Sequence, residues 1–245
     1  MNMNLQRNWE YRFMRHSVII ALAILMIACG ASSDTGVNKS VYVGDGETKR
    51  GSMRSVNGSV HVGNEAKVEG NLSTVNGAIT VGENSEVGEI SCVNGEISVD
   101  RNSRAKEISC VNGSITVGAD GEIDGDLSTV NGPIKTKLGS KIYGDMSTVN
   151  GHMYAQETMI AKNIETVNGD IELVESSLVK GNIVVDRDRR RPSSRKFKEL
   201  IITVDGGSKV KGNIEVKGDN PNVTVVLSDG GEVQGEIINA EVVRK

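Results

Sequence analysis

Residues 72–90 read LSTVNGAITVGENSEVGEI, three short β-type segments separated by corners that carry Gly and Asn. Ile79 and Val81 alternate with Ala78 and Thr80, so the two branched side chains share one face of a strand. Nothing in the stretch has the 3.6-residue period or the length of a helix. Asn-Gly and Val-Gly are read as supplying the positive φ of tight corners. The same block recurs along the chain. Val-Asn-Gly starts at Val56, Val75, Val93, Val111, Val130, Val149 and Val167, with spacings of 19, 18, 18, 19, 19 and 18 residues. A period this short, held for more than a hundred residues, means a stack of like units.

Three segments in each period give a triangular coil, and successive coils stack as parallel strands ~4.8 Å apart. The fold class expected is therefore all-β: a three-sided, single-stranded parallel β-helix of about ten coils, roughly 45–50 Å long at that spacing. Apolar columns support it. Ile79, Ile97, Ile115 and Ile134 form one, continued by Met153 and Ile171. Val81, Val99 and Val117 form a second, followed by Thr136 and Ala155; Leu72, Ile90, Ile108, Leu127, Met146 and Ile164 form a third. The Asn column from Asn57 to Asn168 suits either a ladder of stacked amides or left-handed turn chemistry. The 19-residue periods carry their extra residue at one corner, Val68 to Leu72 against Val87 to Ile90. Val41-Tyr-Val43-Gly44 places the start near Ser40, and the segments at Val179, Val210 and Val233 carry the stack to about Val243. The right-handed preference of parallel crossovers favours a right-handed coil. The six-residue spacing of Val81, Val87, Val93 and Val99 points the other way, and we read it as right-handed.

Composition fits a narrow interior. There are 29 Gly and only 3% aromatic residues, whereas a globular core leans on Phe, Tyr and Trp. The formal charge is −4, and −6 without the first 28 residues. No nucleic-acid partner is expected, since that affinity comes from neutralising phosphates.

The chain opens with a net-basic segment to His16, then an apolar run to Ala28. That run is too short for a bilayer-spanning helix of ~20 residues and fits a secretory signal, residues 1–28. It ends at Leu25-Met26-Ile27-Ala28-Cys29, which resembles the bacterial lipobox. The resemblance implies lipidation at Cys29 by palmitate-type acyl chains and a membrane partner through that anchor. Met26 departs from the usual Leu, and Gly30 follows where inner-membrane retention uses Asp, so the localisation implied is the outer membrane of the cell envelope. Residues 29–39 read as a tether, and the β-helix spans 40–243.

One corner insertion, Asp186 to Glu199, is strongly basic. Arg187, Arg189, Arg190, Arg191, Arg195, Lys196 and Lys198 read either as a solvated loop or as a contact to an anionic envelope surface or partner protein. A second insertion, Lys217 to Asn222, reads as a loop.

No catalytic residue, cofactor site or metal site is assigned. Cys92 and Cys110 fall in one column of adjacent coils, where ~4.8 Å between Cα atoms lies inside the disulfide range. Parallel side chains pointing the same way strain that bond, so a disulfide and two packed thiols both stay open. Two Cys make no zinc site. The acidic run Asp120 to Asp126 lacks the ligand spacing of a calcium loop and reads as a solvated corner. His61 and His152 are far apart and read as surface residues. The six-residue spacing echoes hexapeptide acyltransferases, although Ile97 and Ile115 stand where small residues belong. Lyases and lectin-like binders need catalytic loops or exposed aromatics that this chain lacks.

The repeat Ser-Thr-Val-Asn-Gly-x-Ile-x-Val-Gly, with Val-x-Gly-Asn-Ile between copies, resembles the bacterial adhesin-type family of exported β-solenoid proteins over residues 40–243. It is similar, more loosely, to the bactofilins, polymer-forming β-helices that lack a signal peptide. The resemblance implies a non-enzymatic, lipid-anchored envelope protein, structural or adhesin-like. The rival reading is a scaffold that self-associates end to end, against which the charged ending Glu241 to Lys245 suggests a cap. An acyltransferase is the third reading.

Overall fold

The computed structural model describes residues 34–187, 198–218 and 222–245. The leader with Cys29, and Arg189, Arg190, Arg191, Arg195 and Lys196 of the basic insertion, lie outside the described residues. The chain winds as a three-sided parallel β-helix of three sheets with eleven, eleven and ten strands. Sheet one runs from Asp34–Gly36 through Met53–Asn57, Leu72–Asn76 and Ile90–Asn94 to Ile237–Ile238. Sheet two runs from Val41–Val43 through Val60–Val62 and Ile79–Val81 to Glu241–Arg244. Sheet three is built of two-residue strands, from Thr48–Lys49 to Glu232–Val233.

Every coil lies in register on the last, so like residues form columns. Ile79 pairs with Ile97, Ile97 with Ile115 and Ile115 with Ile134. Leu72, Ile90, Ile108, Leu127 and Met146 form the matching column of sheet one. Val68, Val87, Ala105, Ile123 and Ile142 close the third side. These side chains lie within 3% of complete burial, and each branched one contributes about 1.5–3 kcal/mol by leaving water. The 18- and 19-residue coils differ where the sequence places the extra residue. Val68 is four residues from Leu72, Val87 is three from Ile90, and both pairs keep register.

The corner glycines do not do what the sequence suggests. Among those of Val-Asn-Gly only Gly95 has a φ in the positive range, at +157°, which is close to extended. A Cβ on Gly77 would overlap the carbonyl oxygen of Gly58 one coil back, and one on Gly113 the carbonyl of Gly95. Gly is required there for close backbone stacking. The left-handed turns fall at the next corner, on Glu65 (+55°), Asn84 (+56°), Asn102 (+55°) and Asp120 (+56°). There the backbone must reverse between sheets two and three.

Two boundaries also move. The solenoid begins at Asp34–Gly36, which pairs with Met53–Ser55, so part of the expected tether is the first rung. Glu241–Arg244 is the last strand of sheet two, in register on Thr224 to Leu227.

Candidate functional site: faces, corners and a thiol pair

Three polar columns hold the first two corners. At the first, each Asn side chain donates from Nδ2 to the Oδ1 of the Asn one coil back. The bonds run Asn57 to Asn38 (2.7 Å), Asn76 to Asn57 (2.8 Å), Asn94 to Asn76 and Asn112 to Asn94 (2.9 Å each), and on to Asn168. From Asn57 to Asn168 none has a left-handed φ, and only Asn38 at the end of the ladder does (+53°), so of the two readings of this column the amide ladder is the one present.

Beneath that corner runs a column of hydroxyl and thiol donors. Thr74 Oγ1 donates to the Gly58 carbonyl (2.8 Å), Thr129 to Gly113 (3.2 Å) and Thr148 to Gly132 (3.4 Å). Cys92 and Cys110 take the same place, each Sγ donating to the glycine carbonyl one coil back, Gly77 (3.7 Å) and Gly95 (3.5 Å). The Thr-Val-Asn-Gly motif is thereby explained: the carbonyl that bars a Cβ from the glycine above also needs a donor from inside.

Sequence reading missed the column at the second corner. Ser85 Oγ accepts from the Ala66 amide and Ser103 Oγ from the Ser85 amide, both at 3.0 Å. Ser140 and Ser177 donate to the carbonyls of Gly118 and Ala155 at the same corner. The signal was a small residue about four places after each second inward residue of sheet two: Ala66, Ser85, Ser103, Gly121, Ser140, Thr158, Ser177 and Ser208. Among the described residues no buried side-chain N or O lacks a partner.

The outward faces differ in chemistry. Face one carries half-exposed Val75, Val93, Val111, Val130 and Val149 beside a serine column in which Ser91 and Ser128 are half-exposed and Ser73, Ser109 and Ser147 are only 6–7% exposed, with no charge across five coils. Face three is an ionic ladder of alternating sign, Lys67, Glu86, Arg104, Glu122 and Lys141. Lys67 meets Glu86 at 2.9 Å, and Lys141 meets Glu122 at 2.8 Å. Arg104 reaches Asp124 at 2.7 Å and Glu122 at 3.8 Å. Hydrogen bonds and charge from the acidic partners raise the Lys67, Arg104 and Lys141 pKa values. Such exposed pairs add little stability, but alternation makes a one-coil mismatch repulsive.

Face two carries Tyr42, His61 and Tyr154, with His152 at its edge. His61 stacks on Tyr42, ring centroids 5.0 Å apart, in the middle of its strand rather than at its start. His152 lies 3.4 Å from Glu172, and Lys135 sits over the Tyr154 ring at 5.3 Å. The two histidines are five coils apart, ~24 Å at the strand spacing, so they do not converge. The acyltransferase arithmetic also fails in space: Val81, Val87 and Val99 face inward, whereas Val93 is half-exposed on face one.

The acidic run Asp120 to Asp126 forms a corner of the solenoid, and Asp124 is engaged by Arg104. Among the described residues no three His, Cys, Asp or Glu side chains converge as a metal site.

Of the basic insertion, Arg187 is corrected outright. It is 3% exposed and turned into the solenoid, so it offers nothing to an anionic surface. Its Nε donates to the Val167 carbonyl (3.3 Å), and Nη1 to Lys198 (2.8 Å) and Asn222 (3.2 Å). One guanidinium thus ties together the bases of both insertions. Burial lowers its pKa, with Asp170 acting the other way. Lys198 is exposed at the edge of the insertion.

Cys92 and Cys110 are paired in register, buried, and both free thiols. Of the two readings of this pair, packed thiols are what the structure contains. Hydrogen bonding with Cys110, then burial, pushes the Cys92 thiol far above its ordinary range. Hydrogen bonding with Cys92 lowers Cys110 against burial, helped by the backbone amides of Val111 and Asn112.

Fold and columns define the class, a three-sided single-stranded parallel β-helix. Comparison with protein-family models, curated proteins and solved structures finds no match for this chain.

Proposed function

We propose that the protein is a non-enzymatic, lipid-anchored component of a bacterial outer membrane that presents a rigid β-solenoid face to an envelope partner. The observation that carries this reading is face one, five coils of in-register Ser and Val without a charge, on a rod whose opposite columns are ionic. A flat, regular, uncharged surface on a stiff support suits adhesion or structural docking better than turnover. Cys29, at the end of an apolar leader, supplies the attachment. The test expresses the full chain in a diderm bacterium with an alkyne-tagged fatty acid, beside Cys29→Ala. The native chain should carry the label and stay in the outer-membrane fraction after a high-salt wash, and C29A should lose both. A native chain recovered unlabelled in the soluble fraction sinks the reading. Val111→Arg, at a half-exposed position of face one, should then abolish recovery of a cross-linked envelope partner while leaving the label unchanged.

A second reading is an end-to-end scaffold, favoured by the last coil. Ile238 and Val242 are exposed and Ile237 is half-exposed, beside the edge strand Glu241–Arg244. An open edge of this kind templates further strands. Filaments of the native chain in electron micrographs, lost on Val242→Lys, would favour it over the first.

A further inference from the structure

The two thiols are placed for a metal that takes two ligands in line. Cys92 and Cys110 are Cα partners on adjacent parallel strands, and each donates to the glycine carbonyl one coil back. The same partner in successive coils means the same rotamer. The sulfurs are therefore related by the coil rise, ~4.8 Å. A disulfide needs about 2.05 Å between sulfurs, which this arrangement reaches only by turning both side chains out of the column. A linear thiolate–metal–thiolate unit, with bonds somewhat shorter than the ~2.3 Å of four-coordinate zinc thiolate, spans about 4.3 Å and needs only a small approach of the two side chains.

The remaining surroundings exclude the commoner thiolate metals. Zinc takes four ligands and iron–sulfur clusters take four Cys, whereas the neighbours of the pair in its column are Thr74 and Thr129. Two thiolates alone suit the soft, low-coordinate ion Cu(I). Access is short: Gly95 and Gly113 lie directly over the two sulfurs, where an added Cβ would sit 3.3 and 3.2 Å from them.

We propose that Cys92 and Cys110 form a two-coordinate site for a monovalent soft cation, Cu(I), in the wall of the solenoid. Binding forms two metal–sulfur bonds and releases two thiol protons to solvent, with no change of oxidation state. The site then carries one net negative charge. This inference is independent of the anchor and of face one.

The test uses the full chain in detergent, reduced and free of oxygen, titrated with Cu(I) against a chromophoric Cu(I) chelator. One Cu(I) per chain should be retained, and X-ray absorption should report two sulfur neighbours at a distance clearly shorter than the ~2.3 Å of four-coordinate zinc thiolate, with no nitrogen or oxygen. Cys92→Thr and Cys110→Thr install the residue already present in adjacent coils and should keep the parent circular dichroism. Each should weaken retention by more than about 100-fold, beyond the loss of an outer-shell partner. Both variants keep Cys29, so binding there is counted. Retention unchanged in either variant, three or more ligands at the metal, no retention at all, or a Cys92–Cys110 disulfide in the natively isolated chain would each overturn the proposal.

Discussion

Replacing Ser103 by Ala tests whether the serine column holds the second corner. Ser103 is 1% exposed. Its hydroxyl donates to the Gly82 carbonyl at 2.7 Å and accepts from the Ser85 amide at 3.0 Å. Alanine fits the space, so the perturbation is almost purely polar. The lost bond to Gly82 is worth about 1 kcal/mol, and a buried amide left without an acceptor costs about 1–3 kcal/mol more. The expected loss is roughly 2–4 kcal/mol. In a fold of this size that is a fall in melting temperature of roughly 5–15 °C. Ser91→Ala is the control, because Ser91 faces outward and is half-exposed; its change should stay within about 0.5 kcal/mol. Denaturant unfolding followed by circular dichroism gives the global figure, and hydrogen exchange gives the local one. The Ser85 amide should lose protection in S103A and keep it in S91A. Equal midpoints for the two variants, with Ser85 still protected, would show that the hydroxyl column is incidental.

Gly113→Ala should destabilise the middle coils by about 3 kcal/mol or more, because its Cβ meets the Gly95 carbonyl rather than an adjustable side chain; loss of exchange protection confined to the flanking coils checks it. Arg187→Ala removes a buried donor to three carbonyls. It should cost about 2–3 kcal/mol, with faster proteolytic nicking at both insertions and partial rescue in Arg187→Lys. Glu122→Lys sets like charges beside Arg104 and Lys141. Its melting temperature should fall at low salt and recover toward the parent at 1 M, where the screening length is only about 3 Å.

The inward columns were legible in the sequence because parallel stacking leaves an interior position one option per coil. Ile79, Ile97, Ile115 and Ile134 had to repeat, and they do. The corners were less legible because glycine has two uses written with one letter. At Gly77 and Gly113 it makes room for a neighbouring carbonyl, while the left-handed turns went to Glu65 and Asn84 at the next corner. Arg187 was hidden by its company. In a run of basic residues the average suggests solvent, yet the period of two that turns Ile183 and Val185 inward also turns Arg187 inward. That alternation, followed two residues further, would have found it.

The donor column beneath the Asn ladder bears on the thiol pair. Its structural duty is to give one hydrogen bond to a glycine carbonyl, and threonine does this at 2.8–3.4 Å through a strong O–H donor. Cysteine does it at 3.5 and 3.7 Å through a weak one. Burial therefore gives thiols no advantage over hydroxyls here: the column is equally dry at Thr74 and at Cys92, both 0% exposed. What two consecutive thiols add is a pair of soft donors one coil rise apart, a spacing the fold imposes and that no change of corner residue alters. If C92T and C110T are as stable as the parent or more so, the thiols are surplus to the scaffold, and their reactivity toward a soft cation is what distinguishes these two coils from the rest.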